Sequence, residues 1–348
     1  MVVKKRKLLK GTPQHLDLER RLGAAESDYL LLNVSGSCNY RCEKCCTSED
    51  HDRRARKVSL TLDETEKIIG KAKMELGSRA VLMAGEGETL LAPNLDRIIG
   101  HIHGNGLTTI LFTNASLLTK EKSEFFRDND ASLIISCDSL IPERYEKLVG
   151  IKGVFERTMK NITAAAEVYG NTLRKVSYNG REFELYRIAF NTIVSNSNWG
   201  EIDSIQKFCR EHKIMSILNY PLIKGSILTH ESELVGSVSN YRKQQALVFE
   251  KSENRGFSGV TSDEKCGYLF YGLSIGIDGS ILAPCAYCPE NEGLAGNIKD
   301  YLERPSGFIE AHRKVKNVIK EFAEHYGVNI CLPRHEMYSL YLKRIGNK

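Results

Sequence analysis

The chain has 348 residues, 41% hydrophobic and 27% charged, with 49 basic and 44 acidic side chains and a net charge of +5. That is ordinary globular composition, long enough for a large core, and ten cysteines are too sparse for a secreted disulfide scaffold. The charge surplus is too mild to argue for nucleic acid, no run nears the about 18 apolar residues needed to cross a bilayer, and the basic start MVVKKRKLLKG has no apolar segment after it. A cytoplasmic protein without membrane or nucleic-acid partners is expected.

Residues 1–27 are charged and read as a leader. Short apolar runs then alternate with longer amphipathic ones. Strands are expected at 28–34, 80–85, 108–114, 132–138, 187–194 and 214–220. In TLDETEKIIGKAKMELG, Thr61 and Glu64 stand at capping-box spacing and Gly77 marks the stop of a helix. A second helix starts near Pro93 and ends at a glycine, and others lie near 119–128, 154–169 and 200–212. Hairpins do not need helices of this length, whereas parallel strands need crossovers. The fold class is therefore α/β, a parallel barrel or an open doubly wound sheet. Asn179-Gly180, inside KVSYNGREFEL, signals a hairpin inserted before the fifth strand. After Pro221 the alternation fades, and the polar residues 226–262 read as a linker or bridging helix. CGYLFYGLSIGIDGSILAPCAYC then gives a hairpin around Asp278-Gly279, opening a small second domain at 263–348 with a partly helical tail.

Four cysteines crowd into SGSCNYRCEKCCTSED. Cys38, Cys42 and Cys45 are spaced C-x3-C-x2-C directly after the first strand, at the strand end where parallel α/β folds build ligand sites. Clustered thiolates are soft ligands for iron–sulfur clusters, zinc or Cu(I). A structural zinc takes four closing ligands. Three cysteines without a partner histidine leave a position open, as on a [4Fe–4S] cube with one iron free. A zinc knuckle is the competing reading. Cys46 is expected to pack or face solvent.

CNYRCEKC resembles the signature loop of the radical S-adenosylmethionine (SAM) superfamily, with the aromatic Tyr40 inside it, and the likeness extends over about residues 28–225. It implies a radical SAM core at 28–225 shaped as a partial (β/α)6 TIM-type barrel, with the cluster at its mouth. The fourth iron would chelate SAM, and an electron from a donor such as flavodoxin or ferredoxin would cleave it to a 5′-deoxyadenosyl radical that abstracts hydrogen from carbon. AGEGETLL fails the dinucleotide fingerprint at Leu90, but resembles the G-G-E-P loop that holds the methionine amino group. Gly87 and Glu88 match that loop, while Glu86 and Thr89 depart from it. LFTNAS resembles the T-N-G segment and puts Asn114 near the cofactor; a turn asparagine is the plainer alternative. IISCDS resembles the fourth-strand segment, where alternation sets Ser136 and Asp138 on one face, toward SAM or substrate, and Cys137 on the other. Asn191 and NYPLIKG (219–225) fall where the family contacts ribose and adenine.

Cys266, Cys285, Cys288 and Cys331 form a second set of four, enough for a cube or a tetrahedral zinc. Their region, with AGNI after it, resembles the SPASM/twitch extension and implies one auxiliary [4Fe–4S] cluster; Cys331 is alternatively a hydrogen donor. Cys209 reads as structural. His101 and His103 point apart on a helix, where they suit its C-terminal dipole rather than a shared metal. The run DRRARK (52–57) reads as a solvated loop.

The expected protein is a radical SAM oxidoreductase or epimerase. It would oxidise, epimerise or rearrange a small sugar-like or aminocyclitol molecule. Modification of a ribosomal peptide is the alternative, less favoured because 27 residues before the first strand are too few for a peptide-recognition domain. A non-catalytic zinc-binding protein is the alternative of another class.

Overall fold

The computed structural model describes residues 29–46, 58–172, 174–178, 181–221, 225–251, 272–282 and 296–325. The strands are β1 (Tyr29–Leu32), β2 (Ala80–Met83), β3 (Thr108–Thr113), β4 (Ala131–Ser136), β5 (Arg174–Tyr178), β6 (Arg181–Leu185), β7 (Ile188–Ile193), β8 (Met215–Asn219), β9 (Gly272–Ile275) and β10 (Ile281–Leu282). The helices are α1 (Leu62–Leu76), α2 (Leu95–Gly104), α3 (Lys120–Asp128), α4 (Pro142–Val149), α5 (Phe155–Tyr169), α6 (Ile202–Glu211), α7 (Ile227–Leu234), α8 (Val238–Lys251) and α9 (Gly307–His325).

Eight strands form one open sheet in the order β10-β9-β1-β2-β3-β4-β7-β8. Every pair from β9 to β8 is parallel, and only β9–β10 is antiparallel. The six expected strands are β1, β2, β3, β4, β7 and β8, and the α/β partial barrel is as expected. The Asn179-Gly180 signal falls between β5 and β6, which pair antiparallel in a sheet of their own. The Asp278-Gly279 hairpin also forms, and its first strand hydrogen-bonds to β1, so it prolongs the barrel sheet beyond the strand that carries the cysteine loop.

Local chemistry explains the ends of α1. Thr61 accepts from the Glu64 N–H, the Glu64 carboxylate accepts from the Thr61 N–H, and Gly77 closes the helix with φ 69°. Two expectations need correcting. Helix α4 went unread because it is short and charged, yet Pro142 in its first turn presets φ and Gly150 caps its end. Residues 227–251, expected as a linker or a bridging helix, are two helices, held by a small apolar cluster of Leu148, Ile227, Leu234, Val235 and Tyr241. Among the described residues no helix is long and apolar enough to cross a membrane.

The sheet separates two apolar clusters. The larger lies between sheet and helices and includes Leu30, Leu133, Ile135 and Phe126. The smaller lines the bore with Tyr29, Ala80, Leu82, Ile110, Ile134, Ala189 and Met215. Alternation along each strand carries this inner row toward polar side chains at the C-terminal ends: Asn114 after β3, Ser136 on β4, Asn191 on β7 and Asn219 on β8. Asn219 Nδ2 donates to Asn191 Oδ1 at 2.6 Å.

Candidate metal centre

The loop after β1 holds Cys38, Cys42, Cys45 and Cys46, all half-buried. It is fastened from several sides. The N–H groups of Arg41 and Glu43 donate to the carbonyls of Val149 and Leu148, each at 3.0 Å, tying the loop to the end of α4. Gly150 sits there with φ +69°, and a Cβ would lie 2.3 Å from the Arg41 carbonyl oxygen, so only glycine fits. Tyr40 is buried in the outer core, and its hydroxyl shares a 2.9 Å hydrogen bond with Thr158. Its ring therefore anchors the loop from behind. The Arg41 guanidinium folds back to donate to the carbonyls of Cys38 at 2.7 Å and Tyr40 at 2.9 Å. Near the loop's end, the Ser226 N–H donates to the Cys45 carbonyl at 2.9 Å.

The second strand's loop docks on the first. The Glu88 N–H donates to the Ser37 carbonyl at 2.8 Å, and a Cβ on Gly87 would lie 2.3 Å from that same oxygen. The Glu88 carboxylate is buried and accepts from Thr113 Oγ1 at 2.6 Å, the Asn114 N–H at 2.7 Å and the Leu90 N–H at 3.1 Å. Burial raises its pKa, and those hydrogen bonds oppose the rise. Asn114 Nδ2 donates to Asn39 Oδ1 at 2.9 Å, and Asn39 Nδ2 donates to Ser116 Oγ at 2.7 Å. Glu88 and Asn114 thus join β2, β3 and the cysteine loop into one hydrogen-bonded block. Glu86, absent from the expected set, accepts from the Ile277 N–H at 3.1 Å and links that block to the β9–β10 hairpin.

Ser136 is half-buried on the inner row of β4, and Cys137 packs into the outer core, as alternation requires. Asp138 is engaged: its carboxylate pairs with Lys44 and accepts from the Ile193 N–H at 2.7 Å, while Asn198 Nδ2 donates to its carbonyl at 2.7 Å. Lys44, between two of the cysteines, was not singled out from sequence, although a cation directly beside a ligand cysteine was there to be seen. Burial draws its ammonium down to about 8, and the neighbouring thiols oppose this. Glu43 is half-buried beside His230 and Glu233, their ligand atoms mutually within 4.8 Å, but Lys147 already pairs with Glu233. Cys266, Cys285, Cys288 and Cys331 lie outside the described residues.

The donor set discriminates between metals. Burial pushes the Cys42 thiol up to about 12 and raises Cys38, so thiolate here requires a strong compensating cation. Cys38, Cys42 and Cys45 act on one another electrostatically, yet among the described residues no three thiols have sulfurs mutually within 4.8 Å. With Zn–S near ~2.3 Å, sulfurs on one tetrahedral zinc would sit roughly 3.8 Å apart. Three thiolates also fit a polynuclear centre in which each sulfur takes a different iron.

An open parallel barrel with four cysteines on the loop after its first strand defines an α/β barrel with a candidate thiolate metal centre. Residues 32–180 match the Radical SAM superfamily model, so this part of the chain is a radical SAM domain. Such a domain takes S-adenosylmethionine and a [4Fe–4S] cluster as cofactors. A GTP 3′,8-cyclase of Haemophilus influenzae (strain PittEE) is 28% identical over 247 residues, covering 65% of this chain and 71% of that one. A GTP 3′,8-cyclase of Helicobacter pylori (strain HPAG1) is 25% identical over 268 residues, covering 75% and 80%. Among solved structures, Streptococcus suis SuiB bound to S-adenosylmethionine aligns with a TM-score of 0.61 at 16% identity, over 88% of this chain and 70% of that one. Native anSMEcpe with bound AdoMet aligns with a TM-score of 0.57 at 17% identity, over 82% of each. At those identities the likeness to both structures is one of fold.

Proposed function

We propose that this radical SAM enzyme abstracts a hydrogen atom from a carbon of a small sugar-like molecule and then oxidises, epimerises or rearranges it. The observation that carries the reading is the position of the cysteine loop at the mouth of a bore whose apolar floor gives way to Asn114, Ser136, Asn191 and Asn219. Hydroxyl groups and a ribose find hydrogen-bond partners in such a rim. The bound cluster and SAM supply the radical. Cys38, Cys42 and Cys45 hold the cluster; Glu88, Asn114 and Asn39 keep their loop rigid against β2 and β3; Ser136 and Asn191 face cofactor or substrate. Cys266, Cys285, Cys288 and Cys331 would hold an auxiliary cluster able to accept the electron left on the substrate radical after hydrogen abstraction, while a flavodoxin or ferredoxin would supply the electron that cleaves SAM.

The relatives named for a reaction of GTP favour a small molecule, and a nucleotide belongs on the substrate panel. SuiB, also solved with its precursor peptide, keeps a peptide on the panel as the second reading. The test starts with iron, sulfide and zinc analysis of anaerobically purified protein: about eight irons per chain fits two cubes, and zinc without sulfide overturns the reading. With SAM and dithionite, 5′-deoxyadenosine is then measured against GTP, aminocyclitols and candidate peptides carrying deuterium on carbon. Deuterium in 5′-deoxyadenosine identifies the class; transfer only from a peptide overturns the small-molecule assignment.

A further inference from the structure

The cysteine loop contains one buried positive charge that coordination does not require. Lys44 lies between Cys42 and Cys45, its side chain 12% exposed, paired with an Asp138 that is 4% exposed. A buried ion pair rarely stabilises a fold on balance, because desolvating both charges offsets their attraction. Something other than stability is therefore asked of this one. Its placement says what. Cys42, Cys137, Cys45 and Cys46 are the thiols whose charge acts on Lys44. Asp138 cannot swing away, since the Ile193 N–H holds its other oxygen at 2.7 Å and Asn198 holds its carbonyl at 2.7 Å. The ends of β4 and β7 thus fix an anion, the anion fixes a cation, and the cation stands among the ligand sulfurs.

We propose that Lys44 is a positioning residue that serves as the built-in counter-charge of the three-thiolate cluster, with Asp138 locking it in place, so that the pair sets the cluster's reduction potential. Three thiolates on a [4Fe–4S] core leave net negative charge, and one added electron increases it. A fixed cation in a water-poor site stabilises the reduced form, and a fixed anion opposes it. This inference rests on the radical SAM reading of the site.

The test uses reconstituted holoenzyme at pH 7 and a redox titration followed by electron paramagnetic resonance. The cluster of interest is the one whose signal changes when SAM is added. Lys44→Met, which keeps the stem and removes the charge, shifts the potential more negative: at a fixed solution potential near the midpoint the ratio of reduced to oxidised cluster falls about tenfold, equivalent to about 59 mV for one electron. Lys44→Arg stays near wild type. Asp138→Asn, added to Lys44→Met so that no locked cation is released, removes the remaining anion and shifts the potential back the other way. Opposite signs are the signature of charge, since a loosened loop would move the potential alike at both steps. Wild-type potentials in Lys44→Met with full iron content, or a further shift of the same sign when Asp138→Asn is added, overturn the inference. If Lys44→Met loses its iron, Lys44→Gln replaces it in both comparisons. Zinc without sulfide in the wild type would instead sink the radical SAM reading itself.

Discussion

The two faces of the barrel sheet obey different rules. The outer face is buried and mostly apolar, with a few hydroxyls such as Thr109 and Thr192 among its aliphatic side chains. The inner face is apolar only at the floor, and its polar residues gather where the strands end. The same strands, read at alternate residues, thus supply stability on one side and a reaction vessel on the other. Substitutions on the outer face should cost folding and those on the inner rim should cost chemistry.

Four measurements sharpen or break that contrast, taken from the largest expected effect. Cys42→Ala should lower 5′-deoxyadenosine formation by at least about a thousandfold and remove about four irons per chain, with little change in the far-ultraviolet circular dichroism. Equal SAM turnover in wild type and variant would refute the site. Phe126→Ala, in α3 and fully buried in the outer core, should cost about 3–5 kcal/mol in urea unfolding; a loss confined to activity would erase the distinction between the faces. His312 on α9 gives the outer face a pH dependence. Burial draws its pKa down from 6.5 to about 4, so the unfolded chain binds the extra proton between those values. Its contribution is constant above pH 6.5 and is lost as pH falls toward about 4, by up to about 3 kcal/mol. His312→Gln should flatten that part of the stability profile. Asn191→Ala, on the half-buried inner rim, should change stability by no more than about 0.5 kcal/mol while raising the KM for SAM or substrate.

The strands were legible because burial on two faces leaves runs such as AVLM and TTILFT with little else to be. The turn residues of both hairpins and the capping box of α1 were legible because their chemistry is local. The cysteine loop was readable as a ligand set from spacing alone. What escaped was whatever depends on approach between distant segments. Nothing in the sequence says that the Arg41 carbonyl will press on Gly150, or that Asp138 will find Lys44. Helices α7 and α8 escaped for another reason: their apolar contacts are a few residues scattered through polar sequence, and tertiary packing, not pattern, stabilises them.

The pairing of β9 with β1 has a consequence for how the protein is made. Asn33 Nδ2 donates to the carbonyl of Ile275, 242 residues further along the chain. At ribosomal speeds of about 5–20 residues per second, the first strand waits roughly 12–50 s for that neighbour to be translated. During that interval the cysteine loop hangs from a strand with one edge unpaired. Iron delivered before translation ends meets an unfinished cradle, and iron delivered afterwards meets a closed one.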